Sequence, residues 1–365
     1  MKCYINNYAL LCDAGDTKNL MDAVYDKESA ITVDDSYVKD ATAGLGIMQY
    51  DDIYTLLKEV VGTVLKESNL ENFHSTLLIL GSSVGGMQEC EAIFYSQKSY
   101  KNIDPNRYSM NALTDFLDKE FGFCGSRAIS TACTSSANAL LLAKRLINVD
   151  AYENVLVVGA DGLCKSTVLG FYALSVLSGS QCRPFDANRD GMNVAEAVAA
   201  LLLQNSKNKN SIELKGAGAS SDAYHMTNPD PEATGAVSSM RDALNDAGLK
   251  PKDIDYVNAH GTATVANDRV EAKAIEILFG KKGVPVSSTK AITGHTLGAA
   301  GAVEAIISCE SIKRSLIPPQ ANLSKLENPN IDVPMISAKK NIRNIISNSF
   351  AFGGNNASLV FGATQ

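Results

Sequence analysis

The sequence predicts an α/β fold of two interlocked halves, and three observations carry that prediction. Short apolar runs alternate with stretches of helical periodicity, two further stretches are apolar on nearly every face, and 365 residues exceed what one compact core fills. That length leaves two fused subdomains or one pseudo-repeated unit. Between positions 53 and 65, Ile53, Leu56, Leu57, Val60, Val61, Val64 and Leu65 recur at three- and four-residue steps, the period of an amphipathic helix. A strand at 77–80 ends in Gly81-Ser82-Ser83-Val84-Gly85-Gly86, and another at 155–158 ends in Gly159-Ala160-Asp161. Short buried strands between helices mark an α/β sheet. The stretches 135–147 and 297–309 read as helices buried all round, which belong in the middle of a layered structure. A helix at 237–247 is closed by Gly248 and Pro251; one at 268–279 opens on Asp268 and Glu271 at capping-box spacing and stops at Gly280. The Asn/Lys-rich piece 205–210 is a solvated turn between strands. With no low-complexity linker or composition break, the halves are expected to share one core.

Composition narrows the function classes. The chain has 33 basic and 40 acidic residues, a net charge of −7, which argues against a nucleic-acid coat or a polybasic membrane anchor. An acidic partner would have to meet a local basic patch. Eight scattered cysteines, none in a CxxC pair, fit reduced thiols in a cytoplasmic protein better than a disulfide framework. No apolar run approaches the roughly 18 residues that span a bilayer, and 1–15 lacks the basic and apolar segments of a signal peptide.

Cys133 stands out among the thiols. It lies in Ser130-Thr131-Ala132-Cys133-Thr134-Ser135-Ser136, where a strand gives way to a buried helix. Unsatisfied N–H groups and the macrodipole at a helix start favour a thiolate, although a small buried cysteine can simply pack there. Histidine is scarce. His260 ends an apolar strand in Asn258-Ala259-His260-Gly261-Thr262, and His295 precedes the second buried helix in Thr293-Gly294-His295. Strand ends and helix starts are where α/β folds place active residues, so Cys133, His260 and His295 form a candidate constellation. His74 reads as a surface turn residue and His225 stays unassigned. Glu304 is the lone charge in 297–309; it either faces solvent or is buried with a partner, for which Lys290 is the candidate. Asn348-Ser349-Phe350-Ala351-Phe352-Gly353-Gly354-Asn355 reads as strand, glycine turn, strand, where N–H groups can approach a ligand or merely turn a hairpin. There is no phosphate-loop motif and no zinc-ligand spacing.

Taken with Arg183-Pro184-Phe185-Asp186, Arg189-Asp190-Gly191, Ser220-Ser221-Asp222-Ala223-Tyr224-His225-Met226-Thr227, Ser288-Thr289-Lys290 and Gly298-Ala299-Ala300-Gly301-Ala302-Val303-Glu304, these segments resemble the β-ketoacyl-acyl-carrier-protein synthases. The likeness is to the elongating type II group of the thiolase superfamily and runs from about Gly81 to the C-terminus. It implies a thiolase fold, α-β-α-β-α in layers, with an N-terminal half 1–210 that holds the cysteine and a C-terminal half 211–365 that holds the histidines. It implies a decarboxylative Claisen condensation. In that scheme Cys133 takes the acyl chain; His260 and His295 stabilise the enolate left by malonyl decarboxylation; Cys133 and Phe352 N–H groups form the oxyanion hole. Lys290 with Glu304 holds the electrostatics and orients His295. Thr262 and Thr264 resemble the pair that binds the phosphopantetheine arm, Phe352 a gate and Phe171 part of the acyl pocket. No tightly bound cofactor is implied. The partners implied are acyl and malonyl carrier proteins, with a homodimer or a heterodimer with a related subunit.

Departures are visible. Ala195-Glu196-Ala197 replaces the usual Gly-Glu-Gly, Asn355 a threonine and Ala263 a serine, and Ser175 stands where an arginine is usual. The N-terminal region is abbreviated. The segments Cys3-Tyr4-Ile5-Asn6-Asn7-Tyr8-Ala9-Leu10 and Ser180-Gln181-Cys182-Arg183-Pro184-Phe185 look more like synthases of polyene-type specialised pathways. Two rival readings share the fold. A degradative thiolase would use a second cysteine near the C-terminus, and none follows Cys309; a non-catalytic chain-length subunit would usually lack Cys133. Arg127, Lys144 and Arg145 are candidate carrier contacts because they lie near Cys133 in sequence.

Overall fold

A computed structural model describes residues 1–50 and 52–364. Its framework is one large mixed sheet whose two ends repeat each other. The N-terminal strands are β1 (Tyr4–Cys12), β2 (Thr76–Gly81), β3 (Gly125–Ile129), β4 (Asn154–Asp161) and β5 (Ala197–Gln204); the C-terminal strands are β6 (Ile212–Ser221), β7 (Tyr256–Asn258), β8 (Val286–Ser287), β9 (Asn344–Phe350) and β10 (Asn355–Ala363). In space the first set runs β1-β5-β4-β2-β3 and the second β6-β10-β9-β7-β8. Their senses match: the first two junctions of each set are antiparallel and the last two parallel. A short antiparallel pairing of Tyr4 and Ile5 with Glu213 and Ile212 joins the sets.

The helices, in chain order, are α1 (Thr17–Asp26), α2 (Ile53–Lys66), α3 (Met87–Gln97), α4 (Met110–Phe121), α5 (Ser135–Asn148), α6 (Lys165–Ala173), α7 (Thr234–Ala247), α8 (Val265–Phe279), α9 (Lys290–Thr293) and α10 (Ala300–Arg314). Helices α2 and α4 cover one outer face and α7 and α8 the other, each over its own apolar cluster. The predicted all-apolar helices are α5 and α10. They sit in the middle, and the cluster around them draws residues from both halves. That gives the five layers α-β-α-β-α, with the shared core that the unbroken composition predicts.

The middle layer is held by close backbone approach. A Cβ on Gly301 of α10 would lie 2.6 Å from the Ala137 nitrogen of α5, and one on Gly159 of β4 would lie 2.9 Å from the Ala302 methyl. Ser136 Oγ accepts the Ala302 N–H at 2.9 Å, linking the two helices.

Three predicted helix starts change, that of α7 moving from 237 back to Thr234. The 297 stretch opens with a short 3-10 turn, Leu297–Ala299, before α10. Helix α8 starts at Val265 with Thr264 as its N-cap, so Asp268 and Glu271 form no capping box; they sit inside the helix, buried. Asp268 accepts the Phe185 and Ala263 N–H groups, and Glu271 those of His260 and Gly261. Unpaired buried N–H groups in the neighbouring loop outcompete the helix's own end. Helix α7 ends at Gly248 in the left-handed conformation, φ 66°, as its sequence predicts.

Because the atoms facing Gly301 are the backbone and Cβ of Ala137, none of which can swing aside, Gly301→Val forces the central helices apart. The expected loss is about 1–3 kcal/mol of unfolding free energy, read from the urea midpoint; an unchanged midpoint would contradict this packing.

Candidate active site

The nucleophile candidate sits on a sharp turn. Ala132 has φ 54°, a conformation rarely adopted by residues with a side chain. The turn is held by Ser135 Oγ, which accepts the Thr131 N–H at 3.0 Å and donates to Ala132 O at 2.6 Å. Cys133 thereby stands at the start of α5, as predicted.

His260 follows β7, and Glu271 fixes its loop by accepting the N–H groups of His260 (2.9 Å) and Gly261 (2.8 Å). Asn348 Nδ2 donates to the same carboxylate at 3.2 Å. His295 is held through its main chain: its N–H donates to Asn193 O at 2.7 Å, and its carbonyl accepts the Ala195 N–H at 3.0 Å. These anchors bring His295 Nε2 to 2.9 Å from Cys133 Sγ. The His260 and His295 rings meet edge to face with centroids 5.2 Å apart.

Lys290 and Glu304 form a buried ion pair, 1% and 2% exposed, which decides for the buried alternative at Glu304. Lys290 bonds to Glu304 and not to either imidazole ring, so its reach to His295 is through charge. Phe352 lies on the β9–β10 turn, with Gly353 and Gly354 at φ 87° and 76° behind it, and its N–H faces the thiol together with that of Cys133. Its ring centroid is 6.0 Å from that of Phe171. Thr262 and Thr264 share a hydroxyl hydrogen bond of 3.0 Å. A cavity of about 360 Å³ connects these groups, and every predicted residue except Lys290 and Glu304 lines it.

Electrostatically the site is dry. Burial, then the Lys290 charge, holds His295 well below the ordinary imidazole range; burial, Lys290 and His295 do the same to His260. Both rings are neutral near pH 7. Burial pushes the Cys133 thiol up to about 12, against a downward pull from Lys290. The helix-start argument for a resting thiolate is therefore outweighed by desolvation. The group is a thiol whose proton has an acceptor, His295 Nε2, within hydrogen-bond reach.

Other candidates fall elsewhere. His74 is exposed, and exposed His225 orders its own loop by accepting the Thr227 and Asn228 N–H groups at 3.1 and 3.2 Å. Lys144 is buried at the far end of α5 against Asp246 (2.7 Å), so it is no carrier contact. Asn193, Glu271 and Asp161 were not singled out by the sequence as site residues. Asp161 accepts N–H groups of Ser83, Val84 and Gly298, tying the loop after β2 to the turn that follows His295. Among the described residues no His, Cys, Asp and Glu cluster could hold a metal ion, and no helix is long and apolar enough to cross a membrane.

Comparison with known proteins agrees on one family. Residues 13–209 match the model of the β-ketoacyl synthase N-terminal domain, and 212–324 that of the C-terminal domain. The chain is 36% identical over 328 residues to 3-oxoacyl-[acyl-carrier-protein] synthase 2 of Coxiella burnetii, covering 80% of this chain and 77% of that one. Among solved structures, it is similar to a chain of the Xenorhabdus doucetiae ketosynthase ApeO in complex with its chain length factor ApeC (29% identity, TM-score 0.90, 100% and 98% of the two chains). A β-ketoacyl synthase from Burkholderia phymatum matches at 26% identity and TM-score 0.89, covering 100% of both chains.

The charge argument is testable. Removing the Lys290 cation in Lys290→Met should raise the pH at which both buried imidazoles protonate, while burial keeps them below the ordinary value. Titration of the histidines by NMR would show the His260 and His295 resonances moving at higher pH than in the unsubstituted protein; unmoved midpoints at both would contradict the charge argument.

Proposed function

The chain belongs to the β-ketoacyl synthase family, and on that premise we propose that this cavity elongates an acyl chain by decarboxylative Claisen condensation with malonyl carrier protein. The observation that carries the proposal is the contact between Cys133 Sγ and His295 Nε2 with the His260 ring set against it. In the first half-reaction Sγ attacks the thioester carbonyl of an acyl chain held on a carrier's phosphopantetheine arm, and its proton passes to His295. The oxyanion faces the N–H groups of Cys133 and Phe352, and the departing arm thiolate takes the proton back. In the second, malonyl thioester replaces the product arm. The carbon–carboxylate bond breaks to release carbon dioxide, and the N–H groups of two neutral imidazoles, His295 now in the tautomer that carries its proton on Nε2, stabilise the enolate oxygen. The enolate carbon attacks the acyl-Cys133 carbonyl, the main-chain N–H groups of Cys133 and Phe352 take up the oxyanion, and Cys133 leaves as a thiolate that takes a proton from solvent.

Neutral imidazoles suit this chemistry because an N–H donor need not lose a proton to act. Lys290 supports neutrality, and its pairing with Glu304 offsets the cost of placing it in a dry setting. Thr262 and Thr264, beside the channel, would hydrogen-bond the arm, and Phe352 against Phe171 would gate the acyl pocket. Substrates arrive on the carrier, so the chain itself needs no tightly bound cofactor.

A second subunit is part of the proposal. Strand β3 is an open sheet edge, and Tyr95, Tyr100, Tyr108, Leu169, Tyr172 and Leu174 are exposed. Helices α3 and α6 are bound through Glu91, which accepts the Lys165 and Ser166 N–H groups. An unpaired edge, together with exposed aromatic and leucine side chains elsewhere on the same half, favours a dimer, with itself or with a related subunit. Eight free cysteines are consistent with the cytoplasm. The sequence segments noted above favour a specialised, polyene-type pathway. The Cys133–His295 contact disfavours a non-catalytic partner subunit; a degradative thiolase is disfavoured because Cys133 is the one cysteine among the described residues lining the cavity.

Intact-mass measurement tests the assignment. Cys133→Ala should gain no acyl mass from acyl carriers of any length and should make no condensation product. His260→Ala and His295→Ala should lose malonyl decarboxylation by about 100-fold or more, the scale of losing an oxyanion donor. Normal decarboxylation in both would remove the histidines from the enolate site.

A further inference from the structure

A guanidinium stands at the positive end of a helix. Arg189 is 2% exposed at its side chain, with Asp268 3.8 Å from its Nε. Nε donates to Thr264 O at 3.2 Å and Nη2 to Val265 O at 2.7 Å, the carbonyls at the start of α8. Nη1 donates to Asp186 O at 2.8 Å and pairs with Glu327 at 2.6 Å. A cation at a helix N-terminus is repelled by the macrodipole unless acids offset it, and Glu327 and Asp268 do so.

What this costly arrangement achieves is control of one turn. Ala263 has φ 68°, left-handed for a residue with a side chain, and such a conformation persists only where the surroundings over-determine it. Asp268 accepts the Ala263 N–H at 3.1 Å, while Arg189 takes the next two carbonyls. The turn is clamped from its amide and carbonyl sides together. Thr262, Thr264 and Val265 line the cavity, whereas Arg189 lies behind them outside it.

We infer that Arg189 is a positioning residue for the pantetheine arm: it never meets substrate, and it holds the 262–265 turn so that both threonine hydroxyls present to the channel. The inference rests on the reading that Thr262 and Thr264 bind the arm. A planar fork is required, because three N–H vectors must reach three carbonyls at once, which a lysine ammonium cannot do from one point.

The test compares an arm-bearing substrate with an arm-free probe in the full chain. Acyl transfer to Cys133 is measured with an acyl-pantetheine thioester, and access to the thiol with iodoacetamide. Arg189→Gln should raise the thioester KM by about tenfold, the scale of losing charge-assisted hydrogen bonds, with kcat and the alkylation rate unchanged. Arg189→Lys, which keeps the charge that Glu327 and Asp268 need, should restore part of the KM and decides the matter if the glutamine variant does not fold. An unchanged KM in a folded variant, or a parallel fall in alkylation, overturns the positioning role. Thr262→Val and Thr264→Val separate the two readings. If they raise KM and the Arg189 variants do not, only the positioning role fails; if they leave KM unchanged, arm binding by the threonines fails and the role of Arg189 falls with it.

Discussion

The site depends on the contact between α5 and α10. Each half of the chain sends a helix into the middle layer after its third strand, and each helix carries a reactive residue just before its start: Cys133 before α5, His295 before the turn that opens α10. The two are topological equivalents in the repeat. Their 2.9 Å contact is therefore set by how closely two helices pack near their starts, which Gly301 and Gly159 allow and any larger residue would prevent. The proposed chemistry needs two side chains from different halves of the chain within hydrogen-bond reach, and small residues in the central layer supply that precision.

The same burial that sets the geometry sets the charges. A thiol in a dry pocket does not ionise readily, and the effect of a helix start, about half a unit charge, is smaller than the penalty of burying an anion. A thiol with a neutral imidazole beside it avoids that penalty, because charge appears only when substrate is present to receive it. Lys290 tilts the balance in the useful direction for both groups, lowering the thiol and keeping the imidazoles unprotonated. Its own burial is made tolerable by Glu304.

Much of this was legible in the sequence, for identifiable reasons. The all-apolar helices had only one place to go, a strand-to-helix junction pointed to Cys133, and Gly-adjacent turns pointed to His260 and His295. What could not be read were supports whose partners are remote in the chain. Glu271 and Asp268 matched a local capping pattern, and only the fold shows that loop amides lie nearer than their own helix end. Lys144 was near Cys133 in sequence but at the opposite end of α5, where Asp246 holds it. Asn193 acts on His295 through a main-chain carbonyl, which no side-chain pattern can reveal.

The departures from the family pattern now sort by place. Ala195 keeps the main-chain bond to His295, and its methyl lies 2.7 Å from where a Cβ on Gly294 would stand, so the glycine at 294 accommodates the alanine at 195. Glu196 between the two alanines still accepts the Met48 and Leu163 N–H groups, at 3.0 and 2.9 Å. Ala263 takes its left-handed turn under the hold of Asp268 and Arg189. Ser175 differs in kind, because it lines the cavity itself, beside Phe171 and Leu174. A serine there puts a short neutral side chain in the wall near Phe171 and Phe352, on a chain whose net charge is already −7. The geometry of Cys133, His260 and His295 is buffered against the first group of changes, whereas the residue at 175 shapes the cavity itself.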